Sequence, residues 1–176
     1  MAFISAAYFG NPASKLKTIG ITGTKGKTTT TYLIRNMLEN AGHKVGLIGT
    51  IEVIIGDEHI HAENTTPESF ALQEYMAKMV EAGCDSVVME VSSQGLMLHR
   101  TQGFTFDIGI FTNIEPDHIG PNEHTDFEDY LHCKSLLFSC FFCTAMSIKI
   151  CTLDADEKRS FRNLSVVVNY ILYFDN

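Results

Sequence analysis

Lys27 and Thr28 stand side by side at the end of a glycine-rich stretch, Thr22-Gly-Thr-Lys-Gly-Lys-Thr28. An ammonium and a hydroxyl in that setting suit a chain of phosphates. Gly23 and Gly26 allow a tight turn whose backbone N–H groups point inward. A helix that starts just beyond aims its positive end at the same point, where anionic oxygens bind. Lys27 can reach terminal phosphates, and the Thr28 hydroxyl can hold Mg²⁺. The common spacing G-x-x-x-x-G-K-[ST] needs glycine at position 21, where this chain has Ile21; its glycines are Gly20, Gly23 and Gly26. By itself the loop points to a nucleoside triphosphate and leaves the reaction open.

Three more polar clusters could share its chemistry: Asn64-Thr-Thr66, Glu90-Val-Ser-Ser93 and Asn113-Ile-Glu-Pro-Asp-His118. Such residues also cap helices and close turns, but four clusters on one rim favour a site. Lys134 lies between Cys133 and Ser135-Leu-Leu, where a lysine commonly snorkels to solvent. His59 and His61 alternate onto one face of an expected hairpin and read as a solvated face. Cys140-Phe-Phe-Cys143 has apolar flanks and no second ligand pair, so buried thiols are expected.

The elements that must position these groups follow from apolar periodicity. Strands are expected at 17–22, 45–49, 86–91 and 107–112. A hairpin is expected over 51–62, turning at Gly56-Asp57. Helices are expected at 28–41, with Ile34, Met37, Leu38 and Ala41 inward, at 67–82, at 94–100 and at 126–139. Residues 1–16 read as a lead-in segment. Beyond 139 the pattern gives a strand at 147–152, a short helical or loop segment at 154–162 and a β-prone run at 165–174. Strands alternating with helices predict an α/β, doubly wound, mostly parallel sheet with helices on both faces. In such a sheet ligands bind beyond the carboxyl ends of the strands, where the polar clusters fall.

The chain has 176 residues, 45% hydrophobic and 19% charged, enough for one domain with a sizeable core. Its net charge of −8 argues against polymeric nucleic acid as a partner. No run of 18 apolar residues suggests a membrane span. The first nine residues lack the charged start of a signal peptide. Five irregularly spaced cysteines argue against a disulfide framework, so a reducing, cytoplasmic setting is expected.

Together these motifs, in this order over residues 17–138, resemble the central ATP-binding domain of the Mur ligases, with the MurE type the nearest. The elements that carry the resemblance are Thr22–Thr28, Glu63-Asn-Thr-Thr-Pro67, Glu90-Val-Ser-Ser93 with Gly95-Leu96 and His99-Arg100, Thr112-Asn113 with Asp117-His118, and Lys134-Ser-Leu-Leu-Phe138. The resemblance implies a P-loop NTPase-like fold and an ATP-dependent carbon–nitrogen ligase of peptidoglycan precursor synthesis. Its substrates would be a UDP-N-acetylmuramoyl-peptide and an amino acid, joined through an acyl phosphate, with ATP and Mg²⁺ required. It implies nucleotide binding by Thr22, Gly23, Thr24, Lys25, Gly26, Lys27, Thr28 and Asn113. Asn64, Thr65, Thr66, Ser92 and Arg100 would hold the muramoyl-peptide. Thr28, Glu90 and His118 would hold metal. Lys134 would be a buried, carbamylated lysine that binds a second Mg²⁺, which reverses the snorkelling expectation. Lys27, His118 and Lys134 would be the catalytic set.

The resemblance also implies domain limits: a lead-in at 1–16, an incomplete central domain at 17–152 and a divergent tail at 153–176. The family's N-terminal uridine-gripping domain and C-terminal amino-acid-selecting domain would then be missing, leaving the isolated chain weak or inactive. The departures are Leu98 in place of a substrate-binding glutamine, His118-Ile-Gly120 in place of His-Leu-Asp, and a loose echo of an Asn-x-Asp-Asp turn at Leu153–Asp156. The rival expectation is a non-catalytic nucleotide-binding or interaction module. A generic P-loop kinase or GTPase fits less well, since no Asn-Lys-x-Asp is present.

Overall fold

The computed structural model describes residues 1–138 except Asn122. The expected elements beyond 139, the Cys140/Cys143 pair and the Leu153–Asp156 echo lie outside the described residues.

Among the described residues six strands form one sheet: β1 (Lys17–Thr22), β2 (Val45–Ile48), β3 (Glu52–Ile55), β4 (Glu58–His61), β5 (Ser86–Glu90) and β6 (Ile108–Phe111). Their order is β4-β3-β2-β5-β1-β6. β2, β5, β1 and β6 run parallel, and β3 and β4 add an antiparallel hairpin at one edge. Gly56, at φ 59°, takes a conformation that a side chain resists, and so permits the hairpin turn. The doubly wound, mostly parallel expectation holds.

Five α-helices among the described residues accompany the sheet: α1 (Ala2–Tyr8), α2 (Lys27–Asn40), α3 (Ser69–Glu81), α4 (Ser93–Met97) and α5 (Phe127–Ser135), which runs into a 3₁₀ turn at Leu136–Phe138. β5 shows why both faces must be covered. Its residues are all buried, with Val87 and Met89 in a core with Leu72, Met76 and Met79 of α3. Val88 points the other way, into a core with Ile19, Ile21, Val45 and Ile110 that Ile34 and Leu38 of α2 close. Alternation along the strand therefore sends Glu90 to the α2 side, where the site lies. Gly20 has no side chain because the Phe106 ring takes its place: a Cβ there would lie 2.9 Å from the ring.

Two readings of the sequence are corrected. The inward stripe of α2 is Thr31, Ile34 and Leu38, while Met37 is 70% exposed and Ala41 lies past the helix end. At 100° per residue, Met37 falls about 100° away from Leu38 on the helix circumference. Residues 1–16 are also no plain lead-in: α1 and a 3₁₀ turn at Pro12–Lys15 both pack against α3. Their short length gave periodicity nothing to register. His59 and His61 are exposed, as expected, and His59 Nδ1 lies 2.7 Å from Glu52 Oε2. No helix among the described residues is long and apolar enough to cross a membrane.

Candidate functional site

The glycine-rich loop leaves the end of β1 and enters α2 directly. Gly23 (φ 148°) and Gly26 (φ 80°) both have positive φ, which explains why neither carries a side chain. Crowding adds to this at Gly23, where a Cβ would lie 2.0 Å from Thr112 Oγ1. The loop is held from behind by the segment after β6. Asn113 O accepts from Thr24 N at 3.1 Å, its Oδ1 accepts from Lys25 N at 2.9 Å, and its Nδ2 donates to Lys25 O at 3.0 Å. Thr112 Oγ1 donates to the same Lys25 carbonyl at 2.8 Å. Lys25 itself points outward to Glu115, which holds its ammonium pKa up.

Two lysines meet behind the loop. Lys27 Nζ donates to Gly23 O at 3.0 Å and Thr24 O at 3.1 Å. Lys134 Nζ, from α5, donates to the same Gly23 O at 2.9 Å and sits 4.4 Å from the centre of the Tyr130 ring. Burial pushes both ammonium pKa values down, and the Lys27 charge adds to the effect on Lys134, which falls to about 7. At 2% exposure Lys134 does not snorkel. The Tyr130 hydroxyl lies 3.0 Å from Thr24 Oγ1 and ties α5 to the loop.

Glu90, 1% exposed, is the hub of the facing wall. Its Oε2 accepts from Thr28 Oγ1 at 3.0 Å and Thr50 Oγ1 at 3.1 Å, and its Oε1 accepts from Thr50 N at 3.0 Å. Gly49 leaves room for it, since a Cβ there would lie 2.7 Å from Glu90 Oε1. These hydroxyl and carboxylate oxygens are the hard donors Mg²⁺ prefers. His118 faces the same cavity, at a left-handed φ of 54° that costs a non-glycine residue on the order of 1 kcal/mol. Its Nδ1 lies 3.1 Å from Glu123 Oε1. Nε2 has no hydrogen-bond partner closer than Asp117 Oδ2 at 3.8 Å, so the donor set fits a divalent cation.

The third wall comes from the loop before α3 and the start of α4. Thr66 Oγ1 donates to Glu90 O at 3.2 Å and accepts from Ser92 N at 2.9 Å. Ser92 caps α4 by accepting from Gly95 N at 3.0 Å. Arg100 Nη1 donates to Thr66 O at 2.9 Å and Nη2 meets Glu68 Oε1 at 2.5 Å, while its buried Nε has no partner among the described residues. Asn64 and Thr65 complete this side, with Thr65 Oγ1 3.1 Å from Thr50 Oγ1.

These walls enclose a cavity of about 390 Å³. Thr24, Gly26, Lys27, Thr28, Asn64, Thr65, Thr66, Glu90, Ser92, Arg100, His118 and Lys134 line it. Thr22, Gly23, Lys25 and Asn113 do not line it; they shape the loop from outside. Sequence reasoning missed Thr50, Gln94, Glu123 and His124, which also line it, as does Ser93 of the Glu90–Ser93 cluster. Thr50 follows the end of β2, so the strand-end rule held a signal for it. Ser93 and His124 meet only through tertiary contact.

Comparison with known proteins places the chain. A family model described as the Mur ligase middle domain matches residues 21–173. The UDP-N-acetylmuramoyl-L-alanyl-D-glutamate–2,6-diaminopimelate ligase 1 of Clostridium acetobutylicum is 51% identical over 138 residues, covering 78% of this chain and 28% of that protein. A solved UDP-N-acetylmuramoyl-L-alanyl-D-glutamate–2,6-diaminopimelate ligase superposes with a TM-score of 0.62 at 29% identity, over 70% of this chain and 24% of that one. The MurF ligase of Thermotoga maritima in complex with ADP shares the fold, with a TM-score of 0.61 at 18% identity over 95% of this chain and 34% of that one. The chain thus spans about a quarter to a third of the length of these relatives. With the family model matching most of its residues, the chain belongs to the Mur ligase middle-domain family.

Proposed function

We propose that this chain is the ATP-binding, phosphoryl-transfer core of a ligase that joins an amino acid to a UDP-N-acetylmuramoyl-peptide. The observation that carries the reading is the convergence of a phosphate loop, two depressed-pKa lysines and a hydroxyl and guanidinium wall on one cavity. A substrate carboxylate would attack the γ-phosphorus of ATP, releasing ADP and giving an acyl phosphate. The incoming amine would then attack the acyl carbon, and phosphate would leave. The chain's part is positioning and charge stabilisation. Loop N–H groups and Lys27 take the phosphates. Asn64, Thr65, Thr66, Ser92 and Arg100 face the peptide substrate across the cavity, and Asn113 keeps the loop open beside the nucleotide.

Thr28, Glu90 and His118 would hold Mg²⁺, which when bound neutralises phosphate charge. Lys134, with so large a neutral fraction near pH 7, is poised to add to CO₂: its nitrogen forms a bond to carbon and loses a proton, and a buried cation becomes an anion. Domain limits of 17–152, with 1–16 before and a tail at 153–176, belong to this reading, except that α1 and the turn at Pro12–Lys15 dock on the domain. The flanking regions of the longer relatives would supply the uridine grip and the choice of amino acid. Cys84 and Cys133, which form no disulfide among the described residues, suit a reducing, cytoplasmic setting.

Calorimetry of ATP–Mg²⁺ binding to this chain beside Lys27→Ala tests the reading. Binding lost in the variant supports it. No binding by the folded chain would refute the assignment and favour an interaction module descended from a ligase.

A further inference from the structure

His124, Asp129 and Cys133 form a cluster outside the roles above. His124 lies just before α5 and Asp129 and Cys133 within it, and their ligand atoms all fall within 4.8 Å of one another. His124 is fully buried, Cys133 is 3% exposed, and the Asp129 side chain is 33% exposed. His124 Nδ1 lies 3.2 Å from Asp129 Oδ2, and Cys133 Sγ lies 3.6 Å from Asp129 Oδ1. In a tetrahedral zinc site the N···O edge is about 3.4 Å and the S···O edge about 3.6 Å; the two contacts here use different oxygens of the Asp129 carboxylate, one of which would serve both edges once an ion is bound. The three donors are an imidazole, a carboxylate and a thiol, the set that a borderline-soft divalent ion selects.

We propose that His124, Asp129 and Cys133 bind a zinc-class divalent cation, with water as the fourth ligand on the open side beside Asp129. Charge supports this: a thiolate and a carboxylate balance a divalent ion, so the buried cluster stays neutral. The surroundings support it too. His124 Nε2 lies 2.9 Å from Ser93 Oγ, so Nε2–H can donate to that hydroxyl and leave Nδ1 free to ligate. Thr125 N donates to Asp129 Oδ2 at 3.1 Å and orients the carboxylate. The cation would staple residue 124 to the first two turns of α5, one residue before Lys134. It is separate from the Mg²⁺ assignment, which uses oxygen donors and His118.

Metal-free 176-residue protein titrated with Co²⁺ gives the test. The expected result is a sulfur-to-cobalt charge-transfer band in the near ultraviolet that saturates at one equivalent of sulfur-bound Co²⁺ and that Zn²⁺ abolishes by displacement. Cys133→Ser removes the band, and Cys140→Ser/Cys143→Ser retains it. Asp129→Asn, with an unchanged circular dichroism spectrum, weakens Co²⁺ binding at least about tenfold. The absence of a band in the parent protein, or a band unchanged in Cys133→Ser, overturns the proposal.

Discussion

Replacing Lys134 by methionine isolates the cost of burying an ammonium behind the phosphate loop. The folded-state pKa of about 7 lies below the ordinary 10.5. Between those values the unfolded chain binds more protons than the folded one, so stability must rise with pH. At pH 7 the linkage costs the folded state on the order of 4 kcal/mol, and at pH 9 about 2 kcal/mol. The parent protein should therefore gain about 2 kcal/mol in unfolding free energy between pH 7 and 9 from Lys134 alone. Lys27, also shifted down by burial, adds in the same direction and is present in both proteins. Cys133, pushed up to about 11 by burial, titrates above this window. Urea unfolding of both proteins in CO₂-free buffer at pH 7, 8 and 9 measures the difference. Parallel pH profiles for parent and Lys134→Met would show that Lys134 is not the titrating group and would refute the reasoning.

Further perturbations follow from the same geometry. Gly49→Ala places a methyl 2.7 Å from Glu90 Oε1; it should weaken Mg²⁺-dependent ATP binding about tenfold or more, read by calorimetry with and without Mg²⁺. Asn113→Ala removes two hydrogen bonds to the Lys25 backbone and should cost about 1–3 kcal/mol of stability, seen in urea unfolding, together with nucleotide affinity. Gly20→Ala drives a methyl into the Phe106 ring and should cost about 1–3 kcal/mol of stability while leaving nucleotide contacts untouched. If the chain is the ligase core proposed above, Lys27→Ala in the full-length protein should raise the chemical barrier by about 3 kcal/mol, a drop of roughly two orders of magnitude in kcat.

Much of this was legible in the sequence because it is local. Strand, glycine-rich turn and helix follow one another within Lys17–Asn40, and the short apolar runs at 45–48, 86–90 and 108–111 leave few alternatives to a parallel sheet. The strand-end rule then collected Glu90, Asn113 and His118 on one rim. What stayed hidden depends on contacts between distant segments. Nothing local distinguishes Tyr130 as a hydrogen-bonding partner of Thr24, or Ser93 as the partner of His124. Lys134 is the instructive case: its apolar neighbours fit a snorkelling lysine equally well, and only the position of the Gly23 carbonyl, 2.9 Å away, decides. On α2, Met37 misled because any apolar residue three or four positions from another looks inward until the sheet fixes which stripe is covered.

The clasp of the glycine-rich loop by Asn113, Tyr130 and Lys134 also sets an order in time. β1 is made before both of its sheet neighbours, β5 and β6, which are residues 86–90 and 108–111. Lys134 meets the loop across 111 residues of chain. Contacts of such separation form late and slowly, because chain closure must precede the contacts that repay it. A nascent chain that has emerged only through α3 thus carries the residues of a phosphate loop without its back wall, and exposes an apolar β1 without partners. Nucleotide capture should accordingly be among the last properties gained during folding, and an interrupted chain should be prone to aggregate before it can bind anything.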